Sequence, residues 1–149
     1  MNASIRSTSL SLCGALAVGL LLVSTTGVAT TGVAERNAFR LSGRVLGVSG
    51  KHAIYVALWR ADGFLEKPAQ HARLEAGAEP IFQFKVAGGR WALSAFEDQN
   101  GDGVLDMGVF GPKEPSAFWR PFNGWRKPRF DDVASLIDRD TAHADLSLK

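Results

Sequence analysis

Cysteine is nearly absent from this chain, and the single one, Cys13, falls in an N-terminal stretch that reads as a leader. Beyond residue 34 there is none, so disulfides, thiolate metal sites and a cysteine nucleophile are excluded together. Charge is equally scarce at the start, where Arg6 is the only charged residue before Glu35. Setting Arg6 aside leaves 16 of the 17 basic residues against 15 acidic ones, a balance that gives no reason to expect a nucleic acid partner. The chain also lacks an apolar run of the ~20 residues that a spanning helix needs. What remains is an ordinary globular composition, 46% hydrophobic and 21% charged, in a chain of 149 residues.

The first 34 residues have the three-part layout of a secretory signal peptide: one basic residue, an apolar core over residues 10–23, and small residues over 24–34. Cleavage after Ala34, with Gly32 two residues before it, leaves polar sequence from Glu35; Ala29 with Gly27 is the other candidate. Leu10-Ser11-Leu12-Cys13 partly resembles a lipobox, but Leu12 is too bulky before the cysteine and the apolar run continues past it. The expected organisation is therefore a signal peptide at 1–34 and one domain at 35–149. A periplasmic or secreted location follows, with no membrane partner once the leader is gone.

The rest of the chain is patterned for strands. Phe39, Leu41, Gly43 and Val45 alternate with polar residues, the period of a strand with one buried face. Residues 53–59 are apolar on both faces, which predicts a central strand covered on each side. Residues 64–80 carry Pro68 and Pro80 and read as an irregular connection or short edge element. Residues 81–86 and 90–96, separated by Gly88-Gly89, look like a hairpin. Residues 107–127 read as a long ordered loop, since glycine and proline crowd its start without a helical period. Residues 141–148 alternate cleanly and should close a sheet. The predicted fold is all-β, a small antiparallel β-sandwich.

One segment has chemistry written into it. Asp98-Gln99-Asn100-Gly101-Asp102-Gly103-Val104-Leu105-Asp106 sets oxygen-bearing side chains at its first, third, fifth and ninth positions around a glycine. Calcium takes 6 to 8 oxygens, and alternate side chains of a tightly curved loop converge on such an ion. Asp98, Asn100, Asp102 and Asp106 would donate side-chain oxygens, and Val104 its backbone carbonyl. The twelfth position is Val109, where an EF-hand places a bidentate glutamate, and a strand precedes the loop, so an EF-hand is rejected. Glu97, Glu114 or water would have to complete the shell. A plain hairpin turn rich in Asn, Asp and Gly is the competing explanation.

Other signals are weaker. Residues 45–52 brush against a phosphate-binding loop but lack its first glycine and its Ser or Thr after lysine. His52, His71 and His143 have no zinc-ligand spacing. Paired acids such as Asp98 with Asp106, or Glu97 with Glu114, could serve a glycosidase only at a separation that sequence does not supply. Trp119, Arg120 and Trp125 could form a platform for a glycan, or the aromatics could fold under the long loop and pin it. The expected role is binding or structural rather than catalytic, toward a glycan or another exported protein.

With these motifs in view, the second half resembles a family of small exported bacterial proteins of unknown function. The likeness rests on Gly89-Arg90-Trp91-Ala92, the loop from Asp98 to Asp106, Phe110-Gly111-Pro112-Lys113-Glu114-Pro115, Phe118, and Pro128-Arg129-Phe130-Asp131-Asp132-Val133-Ala134. Two departures stand out. The family commonly has histidine where this chain has Glu97, and Gly-Phe-Ser where it has Ala117-Phe118-Trp119. The resemblance implies an exported β-sandwich of immunoglobulin-like or transthyretin-like type, and no established reaction.

Overall fold

The structure, a computed structural model, describes residues 38–124 and 126–149. The expected leader and Trp125 lie outside the described residues. In chain order the elements are β1 (Ala38–Leu46), β2 (Ala53–Trp59), a 3-10 turn (Ala61–Gly63), β3 (Gln70–Leu74), β4 (Ile81–Ala87), β5 (Gly89–Asp98), β6 (Met107–Gly108), β7 (Gly111–Pro112), β8 (Ser116–Phe118), α1 (Phe130–Val133), β9 (Ala134–Ile137) and β10 (Leu146–Ser147).

Two sheets form the body. In one, β1 lies between an antiparallel β4 and a parallel β10. In the other, β2 lies between β3 and β5, and the far edge of β5 carries two short strands in tandem, β8 against residues 94–96 and β9 against residues 89–92. Leu41, Val45, Phe84 and Val86 from the first sheet meet Val56, Leu58, Trp91 and Leu93 from the second in one buried cluster. Each such side chain contributes roughly 1.5–3 kcal/mol on leaving water. The sheets stay open rather than closing into a barrel, giving the all-β sandwich read from the sequence.

A second, smaller cluster lies on the other face of β5. Ala92, Val133 and Ala134 are buried there, with Trp59, Phe64, Phe118, Phe122 and Phe130 packed around them. It covers β2 less fully than its apolar sequence predicts. Ile54, Val56 and Leu58 are buried, but Ala53, Tyr55, Ala57 and Trp59 on the opposite face are only half-buried. The irregular segment at 64–80 does supply an edge strand, β3.

The expected hairpin at 81–96 does not form. β4 pairs with β1 and β5 with β2, so consecutive strands sit in opposite sheets. The alternation of residues 81–86 is equally compatible with either partner. With β4 and β5 in opposite sheets, their buried faces meet the one core from opposite sides. Gly88 alone separates the strands, and Gly89 makes the corner at φ 140. The closing strand is also shorter than its pattern predicts. Ala144, Leu146 and Leu148 are buried in alternation, but Asp140 and Asp145 carboxylates, in place of backbone carbonyls, accept the Arg40 and Arg44 amides at 2.8 and 2.9 Å. Side-chain acceptors interrupt the ladder and leave two residues of regular strand.

The corner makes a clean prediction. A Cβ at Gly89 meets nothing within 4 Å, so Gly89→Ala adds backbone strain without a clash. It should lower the unfolding free energy by about 1–3 kcal/mol in urea titration, whereas an unchanged midpoint would contradict the corner.

Candidate functional site

β5 ends in two acids, and alternation along the strand sends them to opposite faces. Both are buried, Glu97 at 1% and Asp98 at 4% exposure, and Glu114 joins them at 6%. A buried carboxylate is tolerated only when its oxygens find donors. Here the donors are mainly backbone amides. Glu97 receives the Ser49 amide at 3.1 Å on each oxygen and the Ser49 hydroxyl on Oε1, which fastens the β1–β2 turn to the end of β5. Glu114 receives the Gln99 amide at 2.7 Å and the Asp106 amide at 3.2 Å, so one side chain brackets both ends of the acidic loop.

Within the loop, side chains fold the backbone. Asp98 accepts from the Gly101 and Gly103 amides at 2.8 and 2.9 Å, Asn100 Oδ1 from the Asp102 amide at 3.1 Å, and Asp102 Oδ1 from the Val104 amide at 2.8 Å. These turns wind the chain around its own aspartates. Gly103 sits at φ 77, and a Cβ there would stand 3.2 Å from the Tyr55 hydroxyl, so the loop lies directly on that ring. Tyr55 is in turn stacked on Phe96 at 5.2 Å and receives the Arg73 Nε–H at 3.2 Å.

The winding gathers three of the residues singled out by spacing. Asn100 Nδ2 lies 3.0 Å from Asp102 Oδ2 and 3.5 Å from Asp106 Oδ2, bridging an exposed and a half-buried carboxylate with the positive end of an amide. Asp98 stands beneath, turned to glycine amides. The Val104 side chain points to solvent. Glu97 and Glu114, considered above as completing ligands, are instead engaged with backbone amides. Among the described residues no three of His, Cys, Asp and Glu form a ready-made metal cluster. The convergence present is one of two carboxylates and an amide. Spacing along the sequence pointed to the loop aspartates, while the bracketing role of Glu114 has no local signal, since it acts across 15 residues of chain.

The aromatic segment divides. Trp119 is half-buried against the main core and its amide donates to the Leu93 carbonyl at 2.9 Å, while Phe118 and Phe122 pack into the second cluster. Arg120 is exposed, with Nη1 3.4 Å from the Ala134 carbonyl. The aromatic rings thus pin the long segment to the sandwich. Its far end is held by Arg126, whose guanidinium reaches both oxygens of Asp132 at 2.7 and 3.0 Å. Asp132 also accepts the Arg129 amide at 2.7 Å.

A family model described as "Uncharacterized protein conserved in bacteria (DUF2141)" matches residues 47–144. The chain belongs to this family. The match runs from the turn that Glu97 fastens through the loop and the aromatic segment to Ala144, just short of β10, so the resemblance read over residues 89–134 extends further in both directions. No curated protein and no solved structure matches the chain. The family description assigns no activity, and the site must be read from its own geometry.

Two outcomes follow from that geometry. Glu114→Ala leaves the Gln99 and Asp106 amides without their acceptor, so hydrogen exchange at both should accelerate while Val56 and Leu93 keep their protection; unchanged exchange would contradict the bracket. The Arg126 guanidinium, followed by the Arg129 amide, lowers the Asp132 pKa from 3.8 to about 2. A carboxylate with a depressed folded pKa stabilises above its unfolded value, and that contribution fades as pH falls through about 2. Asp132→Asn should therefore reduce the loss of melting temperature between pH 5 and pH 2, by a small amount because the pair is exposed. An identical acid dependence in the variant would contradict the pairing.

Proposed function

We propose that this protein is an exported β-sandwich module, binding or structural rather than catalytic, whose 98–106 loop takes up calcium. The observation that carries the reading is the Asn100 amide held between the Asp102 and Asp106 carboxylates at 3.0 and 3.5 Å. Two carboxylates brought together raise each other's energy unless a positive group lies between them. A partial charge on an amide does this weakly, and a hard divalent cation does it fully. Turning the amide aside would present Asn100 Oδ1 beside the two carboxylates, with Asp98 and the Val104 carbonyl as further oxygens.

Because no ready-made cluster is present among the described residues, the ion has to draw the loop closed, and the expected affinity is the weak one suited to extracellular calcium. The leader at 1–34 supports export to such a compartment. Glu114 and Glu97 hold the frame, which confines closure to residues 98–106. A glycan platform gains no support from Trp119, which packs against the core.

Calorimetric melting tests the reading. At ten times the dissociation constant, calcium should stabilise the protein by about 1.4 kcal/mol and raise the melting temperature by several degrees. Asp102→Asn with Asp106→Asn should remove the effect without lowering the calcium-free value. A melting temperature unchanged across millimolar calcium would overturn the reading.

A further inference from the structure

Directly after the loop, the chain displays its two most exposed large apolar side chains among the described residues, Val109 and Phe110. β6 and β7 pair Met107 with Pro112 and Gly108 with Gly111, which leaves Val109 and Phe110 at the apex of a two-residue turn. Val109 is 94% exposed and Phe110 104%, and Val104 and Met107 are each 63% exposed. None of the four belongs to either apolar cluster. Scattered exposed apolar residues are ordinary, but Val109 and Phe110 at one apex, with Met107 on the strand leading to it and Val104 in the loop before it, put four within seven residues and mark a contact surface.

We propose that this apex docks into an anionic lipid bilayer when the 98–106 loop holds calcium, an inference that rests on the calcium reading above. Shape favours a bilayer. A turn two residues wide offers little of the flat area that a stable protein interface buries, yet it can enter the acyl boundary while the paired backbone of β6 and β7 keeps its own hydrogen bonds. Charge sets the condition. Asp102 and Asp106 beside the apex repel an anionic surface, and a bound divalent cation cancels that repulsion.

The exposed Lys113 contributes attraction from the return strand. A Cβ at Gly108 would lie 3.4 Å from its Cγ, so its stem runs along the base of the hairpin. Its amide donates to the Asp106 carbonyl at 2.9 Å, which joins the last acid of the loop to that base. Docking by this turn departs from the expectation, drawn from the sequence, of no membrane partner after the leader is removed. No helix among the described residues is long and apolar enough to cross a membrane, and docking by a turn requires none.

Co-sedimentation of the full chain with vesicles of phosphatidylglycerol and phosphatidylcholine, in calcium and in chelator, tests the proposal. The apolar leader contributes equally in both, so the readout is the calcium-dependent increment. Calcium should strengthen binding about thirtyfold, the effect of two elementary charges near such a surface, and should do so only with phosphatidylglycerol present. Val109→Asp with Phe110→Asp should abolish the increment without changing the melting temperature, and Phe110→Leu should keep it. An increment that survives the double aspartate variant overturns the proposal, as does binding of equal strength in chelator. No increment, in samples whose melting temperature calcium raises, overturns docking and leaves the calcium reading standing. The loss of both effects removes docking together with the reading beneath it. Calcium-driven self-association without vesicle binding overturns the bilayer in favour of a second copy.

Discussion

Three buried carboxylates organise one end of this sandwich by accepting backbone amides, Glu97 and Glu114 from other segments of the chain and Asp98 from its own loop. Burying a carboxylate without donors costs several kcal/mol, so each of these side chains fixes whatever brings a donor to it. Glu97 fixes the β1–β2 turn, Asp98 winds the acidic loop, and Glu114 closes that loop at both ends. Among the described residues no buried side-chain polar atom lacks a partner. Removing one acid therefore disturbs a connection rather than a local contact.

The same arrangement separates frame from function. Acids whose oxygens are already engaged with amides are poor candidates for chemistry, whereas Asp102 and Asp106 keep oxygens facing a mere amide. Asymmetry of this kind lets a loop change its occupancy without loosening the fold. Beyond it, the β6–β7 hairpin inherits its position from the Asp106 carbonyl.

Much of this was legible in the sequence, and the boundary has a physical reason. Period-two alternation at Leu41, Val45, Phe82 and Phe84 reports which faces are buried, and it placed the strands of the sandwich. Alternation does not report which strand lies alongside, so residues 81–96 read as a hairpin although β4 and β5 belong to opposite sheets. The loop spacing drew attention to Asn100, Asp102 and Asp106, since local turns depend on local sequence. Glu114 and the Ser49–Glu97 contact depend on the fold and leave no pattern. Trp119 could have served a platform or a core, and only its packing under the long segment separates the two.

The central claim is that buried acids hold a frame within which residues 98–106 alone respond to calcium. Amide resonances followed by NMR during a calcium titration test this most directly. The account predicts saturable shifts at Gly101, Asp102, Gly103 and Val104, with the amides of Ser49 and Leu93 left in place. Shifts spread evenly over the sandwich, or none in millimolar calcium, would contradict it.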